Sequence, residues 1–215
     1  VFSSLASGKE RQGSSDGLEK NGGTPSGSLV EGVPFGGIDR CFPAASSAAE
    51  RPLAMELQTK GMPLSRALST EWLETDGHGG YASSTLLNCN TRKYHGLLVS
   101  HLPESGGRFV LLSKLEDSIV TGGREIFLSM HQYPLVQVPE KLEAFVRLSL
   151  DRHPRFIYQV GAIRVEKDIL LARGANTLLV RYRYRSGSGT ILLRVKPLLA
   201  FRGIHELSRE NPFFR

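Results

Sequence analysis

Cysteine is scarce in this chain. Cys41 and Cys89 are the only two, 48 positions apart. They form no C-x-x-C pair and are too few for a disulfide framework, so two free thiols in a reducing compartment are expected. Long apolar runs are missing too. None approaches the roughly 20 residues of a membrane helix, which excludes that kind of span. The opening Val1-Phe2-Ser3-Ser4-Leu5 has no basic end followed by an apolar stretch, so no secretory signal is expected. No N-x-[ST] acceptor occurs, in keeping with a cytoplasmic protein. Several catalytic signatures are also absent. The six histidines form no H-x-x-x-H pair, and no glycine-rich stretch ends in Gly-Lys-Ser/Thr. Gly13-Ser14-Ser15-Asp16-Gly17 matches G-x-S-x-G by letter, but no strand precedes it and no helix follows.

What is present is unevenly distributed. Residues 1–65 hold 10 Gly, 10 Ser and 5 Pro, with three Phe and no Trp or Tyr. Such a stretch buries too little apolar area to offset the entropy of ordering, so a flexible leader over 1–65 is expected. The net charge of +6 belongs to the rest: residues 1–65 carry −1 and residues 66–215 carry +7. The excess does not cluster. Arg181, Arg183 and Arg185 alternate with Tyr182 and Tyr184, as on the solvated face of a strand, so no nucleic-acid partner is expected.

From about Leu68 onward, short runs rich in Val, Ile, Leu, Phe and Tyr alternate with turn residues. Strands are expected at Arg92–Val99, at Arg108–Leu112 and Leu115–Val120 with a break at Ser113-Lys114, and at Glu125–Met130 after the turn Thr121-Gly122-Gly123. Others are expected at Ala144–Leu150, Phe156–Val160 and Ile163–Leu171. Leu178–Arg185 and Thr190–Val195 read as a hairpin across Ser186-Gly187-Ser188-Gly189, with Pro197 ending the pairing. No segment shows a 3.6-residue apolar period. The expected fold class is all-β, an antiparallel sandwich or barrel-like domain over 66–215.

The segment Asp76-Gly77-His78-Gly79-Gly80-Tyr81 reads as a tight turn between strands, since no Lys follows for phosphate and no βαβ unit surrounds it. Glu71, Glu74, Asp76, Glu116 and Asp117 are carboxylates of the kind a glycosidase uses, but their spatial separation decides such a role. Residue chemistry alone stops at a basic all-β domain.

One stretch carries the reading further. Glu71-Trp72-Leu73-Glu74-Thr75-Asp76-Gly77-His78-Gly79-Gly80-Tyr81-Ala82-Ser83-Ser84-Thr85 is followed by Asn90-Thr91-Arg92-Lys93-Tyr94-His95-Gly96-Leu97-Leu98-Val99. It closely resembles the N-terminal domain of bacterial and archaeal-type glycogen debranching enzymes, the amylo-α-1,6-glucosidase family. The likeness continues through Leu115-Glu116, Asn176-Thr177, Val180-Arg181-Tyr182 and Lys196-Pro197-Leu198, then Phe201-Arg202-Gly203-Ile204-His205 and Ser208-Arg209-Glu210-Asn211. Four positions depart from the family pattern: Asp76 stands for Asn, His78 for Leu, Lys93 for Arg and Gly203 for Asp.

The resemblance implies an antiparallel β-supersandwich preceding an (α/α)6 barrel of the same polypeptide that carries the catalytic acids. No catalytic residue, metal or organic cofactor is implied within this chain, which would end before the barrel. The expected role is to brace the barrel and shape a cleft for glycogen or a related α-glucan. The residues it suggests for glucan or interdomain contact are Trp72, Asp76, Tyr81, Asn90, Arg92, Tyr94, His95, Arg202 and His205. Within a regular strand, Arg92 and His95 would point to opposite faces, so for both to line one pocket either the strand end is exposed or a bulge near Gly96 re-aims them. The alternative reading is a free-standing carbohydrate-binding or protein-interaction sandwich.

Overall fold

A computed structural model describes residues 55–187 and 189–207. The strands are β1 (Met55–Gln58), β2 (Glu71–Thr75), β3 (Tyr81–Thr85), β4 (Gly96–Leu102), β5 (Gly107–Thr121), β6 (Arg124–Phe127), β7 (His131–Tyr133), β8 (Val136–Val138), β9 (Phe145–Leu150), β10 (Pro154–Val160), β11 (Ile163–Leu171), β12 (Leu178–Ser186) and β13 (Leu192–Gly203). A short helix, α1 (Leu64–Ser69), lies between β1 and β2 and buries Ala67 and Leu68. The expected all-β antiparallel class holds. Among the described residues one sheet runs β1-β9-β10-β11-β12 and a second runs β13-β5-β4-β3-β2, with β6 added to β5 and a separate β7–β8 ribbon.

The two main sheets pack face to face. Trp72 from β2 meets Phe156 from β10 edge-on at 5.6 Å, and both are buried. The apolar positions of β9, β10 and β11 alternate as a half-buried strand requires: Val146 and Leu148, Phe156 and Tyr158, Val165 and Ile169 all face the core. Between the sheets lies a charged cluster. Asp117 of β5 is fully buried, and its Oδ2 accepts hydrogen bonds from Lys167 Nζ at 2.7 Å and Tyr182 Oη at 2.9 Å. Burying these charges is tolerable because they are paired and hydrogen-bonded.

Several sequence expectations change. Residues 1–54 of the expected leader lie outside the described residues, but its last part is structured: β1 pairs with β9 from Met55↔Leu150 to Gln58↔Arg147. Leu57 packs against the core, which supplies the apolar area that composition seemed to lack. β5 runs unbroken through Ser113-Lys114, because Lys114 turns inward and its Nζ donates to the Met130 carbonyl at 2.6 Å.

The expected hairpin is not formed. β12 pairs with β11, whereas β13 crosses to the other sheet and pairs with β5, from Leu192↔Val120 to Gly203↔Phe109. Side-chain charges agree with this choice: Arg181 and Arg185 bond to Asp168 and Glu166 of β11, whereas Arg194 and Lys196 bond to Glu125 and Glu116 beside β13. Pro197 does not end the pairing but sits opposite Leu115 within β13, an edge strand that tolerates a missing donor.

Candidate glucan and domain-contact surface

The strand expected at Arg92–Val99 begins only at Gly96, and residues 91–95 form a turn. His95 builds it. Its backbone N–H donates to the Arg92 carbonyl at 3.0 Å. Its Nδ1 accepts from the N–H groups of Thr91 at 3.1 Å and Arg92 at 3.4 Å. Two donors on Nδ1 place the ring proton on Nε2, which lies 3.3 Å from Glu71 Oε1 without good hydrogen-bond alignment. Arg92 Nε reaches the same oxygen at 2.7 Å. Arg92 and His95 therefore converge on one carboxylate, against the expectation for a regular strand, because the turn removes the alternation of faces. The ring is buried, and burial lowers its pKa despite the nearby Glu71 charge.

Gly96 is where the chain enters the strand. A Cβ there would lie 2.7 Å from Val99 Cγ2 and 2.9 Å from Val110 Cγ1, so only glycine lets the backbone approach this closely.

Three of the candidate residues are occupied with structure. Trp72 is 2% exposed, and its Nε1 donates to the Thr85 carbonyl at 3.1 Å. It anchors the core and leaves no ring face for a sugar, which corrects its proposed surface role. Asn90 accepts from Ser84 Oγ at 2.8 Å and donates to the Ser113 carbonyl at 2.9 Å, tying β3 to β5. Asp76 closes the β2–β3 hairpin: its Oδ1 accepts from His78 N at 2.7 Å and Gly80 N at 2.9 Å. Both of those contacts need only an acceptor, so Asp serves them as well as Asn.

The other candidates come together at one end of the second sheet. Tyr81 Oη donates to the Tyr94 carbonyl at 2.8 Å, and the Tyr94 ring stands edge-on to His205 at 5.7 Å. Arg202 ties the end of β13 to the turn, donating through Nη2 to the Lys93 carbonyl at 2.6 Å and through Nη1 to the Glu206 carbonyl at 2.8 Å. Lys93 lies over the Tyr94 ring, 5.1 Å from its centre. The hydrogen bonds of Tyr81 and Arg202 use backbone carbonyls, and Tyr94 stays 40% exposed.

Beside them is an open hollow of about 410 Å³, lined by His101, Arg108, Phe109, Ile204, His205 and Glu206 among others. Arg108 also donates to the Gly79 carbonyl at 2.6 Å, which links the hollow to the 76–80 loop. Sequence reading missed His101, Arg108 and Phe109. They reach this place through pairing, His101 opposite Arg108 and Gly203 opposite Phe109, and no local signal marks that register.

The carboxylates considered for acid–base work are scattered. Glu116 pairs with Lys196 at 2.6 Å and with His131 at 2.9 Å, and the Lys196 hydrogen bond holds its pKa down. Asp117 is in the core, Asp76 is in its loop, and Glu71 is held by Arg92. Burial raises the pKa of Glu74. Cys89 is a buried free thiol; Cys41 lies outside the described residues. Among the described residues no group of three His, Cys, Asp or Glu is arranged to hold a metal ion, and no helix is long and apolar enough to cross a membrane.

Comparison with protein families finds a match to glycogen debranching enzyme N terminal over residues 70–215. The chain belongs to this family. The matched range takes in the 91–95 turn, the hairpin loop and all of β13, so the whole surface just described lies within the family domain. No curated protein and no solved structure matches the chain.

Proposed function

We propose that this debranching-enzyme domain is the non-catalytic N-terminal part of an enzyme that hydrolyses α-1,6-glucosidic branch points in glycogen or a related α-glucan. A helical barrel of the same polypeptide supplies the two carboxyl groups, one as acid and one to activate water. The domain braces that barrel and forms part of the glucan cleft, in the cytoplasm. The observation that carries this reading is the aromatic and cationic end of the second sheet, where exposed Tyr94 and His205 flank the hollow lined by Arg108 and Phe109. A sugar ring offers an apolar face and a rim of hydroxyls. Such a surface meets the first with aromatic rings and the second with planar hydrogen-bonding side chains.

The test is kinetic, in a polypeptide that carries both this domain and the barrel. Tyr94→Ala and Arg108→Ala are expected to raise KM for a limit dextrin several-fold while the melting temperature holds. Unchanged KM and kcat in both variants would remove the surface from the cleft. The 215-residue chain alone is expected to release no glucose from the same substrate.

A further inference from the structure

The hollow of about 410 Å³ at the end of the second sheet is bordered by three cations. Arg108 lines it directly. Arg202 donates to the carbonyls of Gly203 at 3.3 Å and Glu206 at 2.8 Å, and Lys93 Nζ donates to the His205 carbonyl at 3.4 Å. Gly203, His205 and Glu206 all line the hollow. Carbonyl contacts hold these cations in place but do not neutralise them. Among the described residues none of the three is ion-paired. Other cations of this sheet and its turn are treated differently: Arg92 is held by Glu71, Arg194 by Glu125 and Lys196 by Glu116.

The three charges also converge. Burial raises the pKa of the Tyr81 phenol, and Arg108 and Arg202 both act to lower it, so the two guanidiniums lie near one oxygen. That oxygen donates to the Tyr94 carbonyl at 2.8 Å, and Lys93 lies over the Tyr94 ring. Among the described residues the carboxylate lining the hollow is Glu206, exposed and not ion-paired. Glu104 stands in the turn between β4 and β5 and does not line it. Three cations against the carboxylate of Glu206 leave two positive charges in excess.

Resting on the glucan reading above, we propose that the hollow takes a sugar residue carrying a phosphate monoester, which makes phosphorylated α-glucan the preferred ligand of this surface. A phosphate monoester carries about −1.5 to −2 charges at pH 7, which matches the excess. Arginine forks meet phosphate oxygens two at a time, and a lysine adds a point charge. Tyr94 and Phe109 offer ring surface to the apolar face of the sugar. Neutral glucan leaves the two charges unanswered. A single carboxylate side chain from a neighbouring domain answers one of them. Nucleic acid is the wrong occupant, because cations gathered at one hollow do not follow the repeating phosphates of a strand.

The probes are maltotriose and maltotriose bearing one phosphate monoester on a primary hydroxyl, each titrated calorimetrically into the 215-residue chain. At about 0.05 M salt the phosphorylated form is expected to bind at least about tenfold tighter, and this preference is expected to fall several-fold at about 0.3 M as exposed charges are screened. Lys93→Gln is expected to lower the preference about threefold. Glu206→Gln removes the opposing carboxylate and is expected to raise it by about the same factor. Both side chains are exposed, so neither change threatens the fold. Arg108→Gln lowers the preference further but also releases the Gly79 carbonyl, so the two exposed variants decide the matter. Equal affinity for the two sugars would overturn the phosphate assignment and leave the glucan surface standing. The assignment also falls if inorganic phosphate binds as tightly as the phosphorylated sugar, or if neither exposed variant moves the preference. Binding of neither sugar would remove the glucan reading together with this one.

Discussion

His95 offers the sharpest check on how the 91–95 turn is built. Replacing it with Ala removes the one acceptor shared by the Thr91 and Arg92 N–H groups. Each unmet, partly buried donor costs about 1 kcal/mol, and the space left by the ring adds to that, so a loss of roughly 2–3 kcal/mol is expected. The pH dependence is the more specific signature. Nδ1 accepts only while it carries no proton, and burial lowers the ring pKa in the folded state. As pH falls below the ordinary histidine value of about 6.5, the unfolded chain takes up the proton first, so stability is lost on the acid side of that value. The slope reaches at most about 1.4 kcal/mol per pH unit from this residue. His95→Gln keeps an acceptor and removes the titration. Urea unfolding of the wild type, His95→Ala and His95→Gln at several pH values between about 7.5 and 5 separates these effects. His131, also lowered by burial, contributes the same background to all three. If His95→Gln retains the full wild-type slope, or His95→Ala unfolds at the wild-type midpoint, the turn does not depend on this ring.

Three further outcomes are expected. Burial pulls the Lys114 ammonium down to about 8, so between there and the unfolded value of about 10.4 the unfolded chain binds more protons and stability rises with pH, by about 2–3 kcal/mol at most. Above about pH 10 the buried Tyr158 and Tyr182, both held well above the usual phenol value, reverse the trend; Lys114→Met should flatten the rise between pH 8 and 10 in urea midpoints, and an unchanged rise would reject the assignment. Lys167→Met strands the Asp117 carboxylate in the core with Tyr182 as its remaining donor, at a cost of about 3–5 kcal/mol; adding Asp117→Asn should recover at least about 1 kcal/mol of that, and strict additivity in the double-mutant cycle would show that the pair is not coupled. Trp72 is the chain's single tryptophan and is buried, so its emission should be blue-shifted and unmoved by a saturating maltooligosaccharide, whereas a shift on addition would put the ring at the sugar.

The local sequence was enough to determine the all-β character, most strand positions and the tight loop at Asp76–Tyr81. Each follows from short-range chemistry: the alternation of Phe156, Tyr158 and their neighbours, and the glycines that permit turns. The motif residues around Asn90–Gly96 also pointed to the turn beside which the candidate surface is built. What they do there was decided by tertiary structure. His95 reads as a strand residue until its ring is seen accepting two N–H groups, and Trp72 reads equally as a contact residue or a core anchor until Phe156 arrives from the other sheet. Tyr94 and His205 are 111 positions apart and meet only because β13 leaves its apparent hairpin partner and runs along β5. That choice rests on pairing energies spread over many residues, Asp168 and Glu166 holding one strand while Glu116 and Glu125 hold the next. A window of ten residues contains the arginines but not the carboxylates that sort them, and this is why the site could be located by motif but assembled only by the fold.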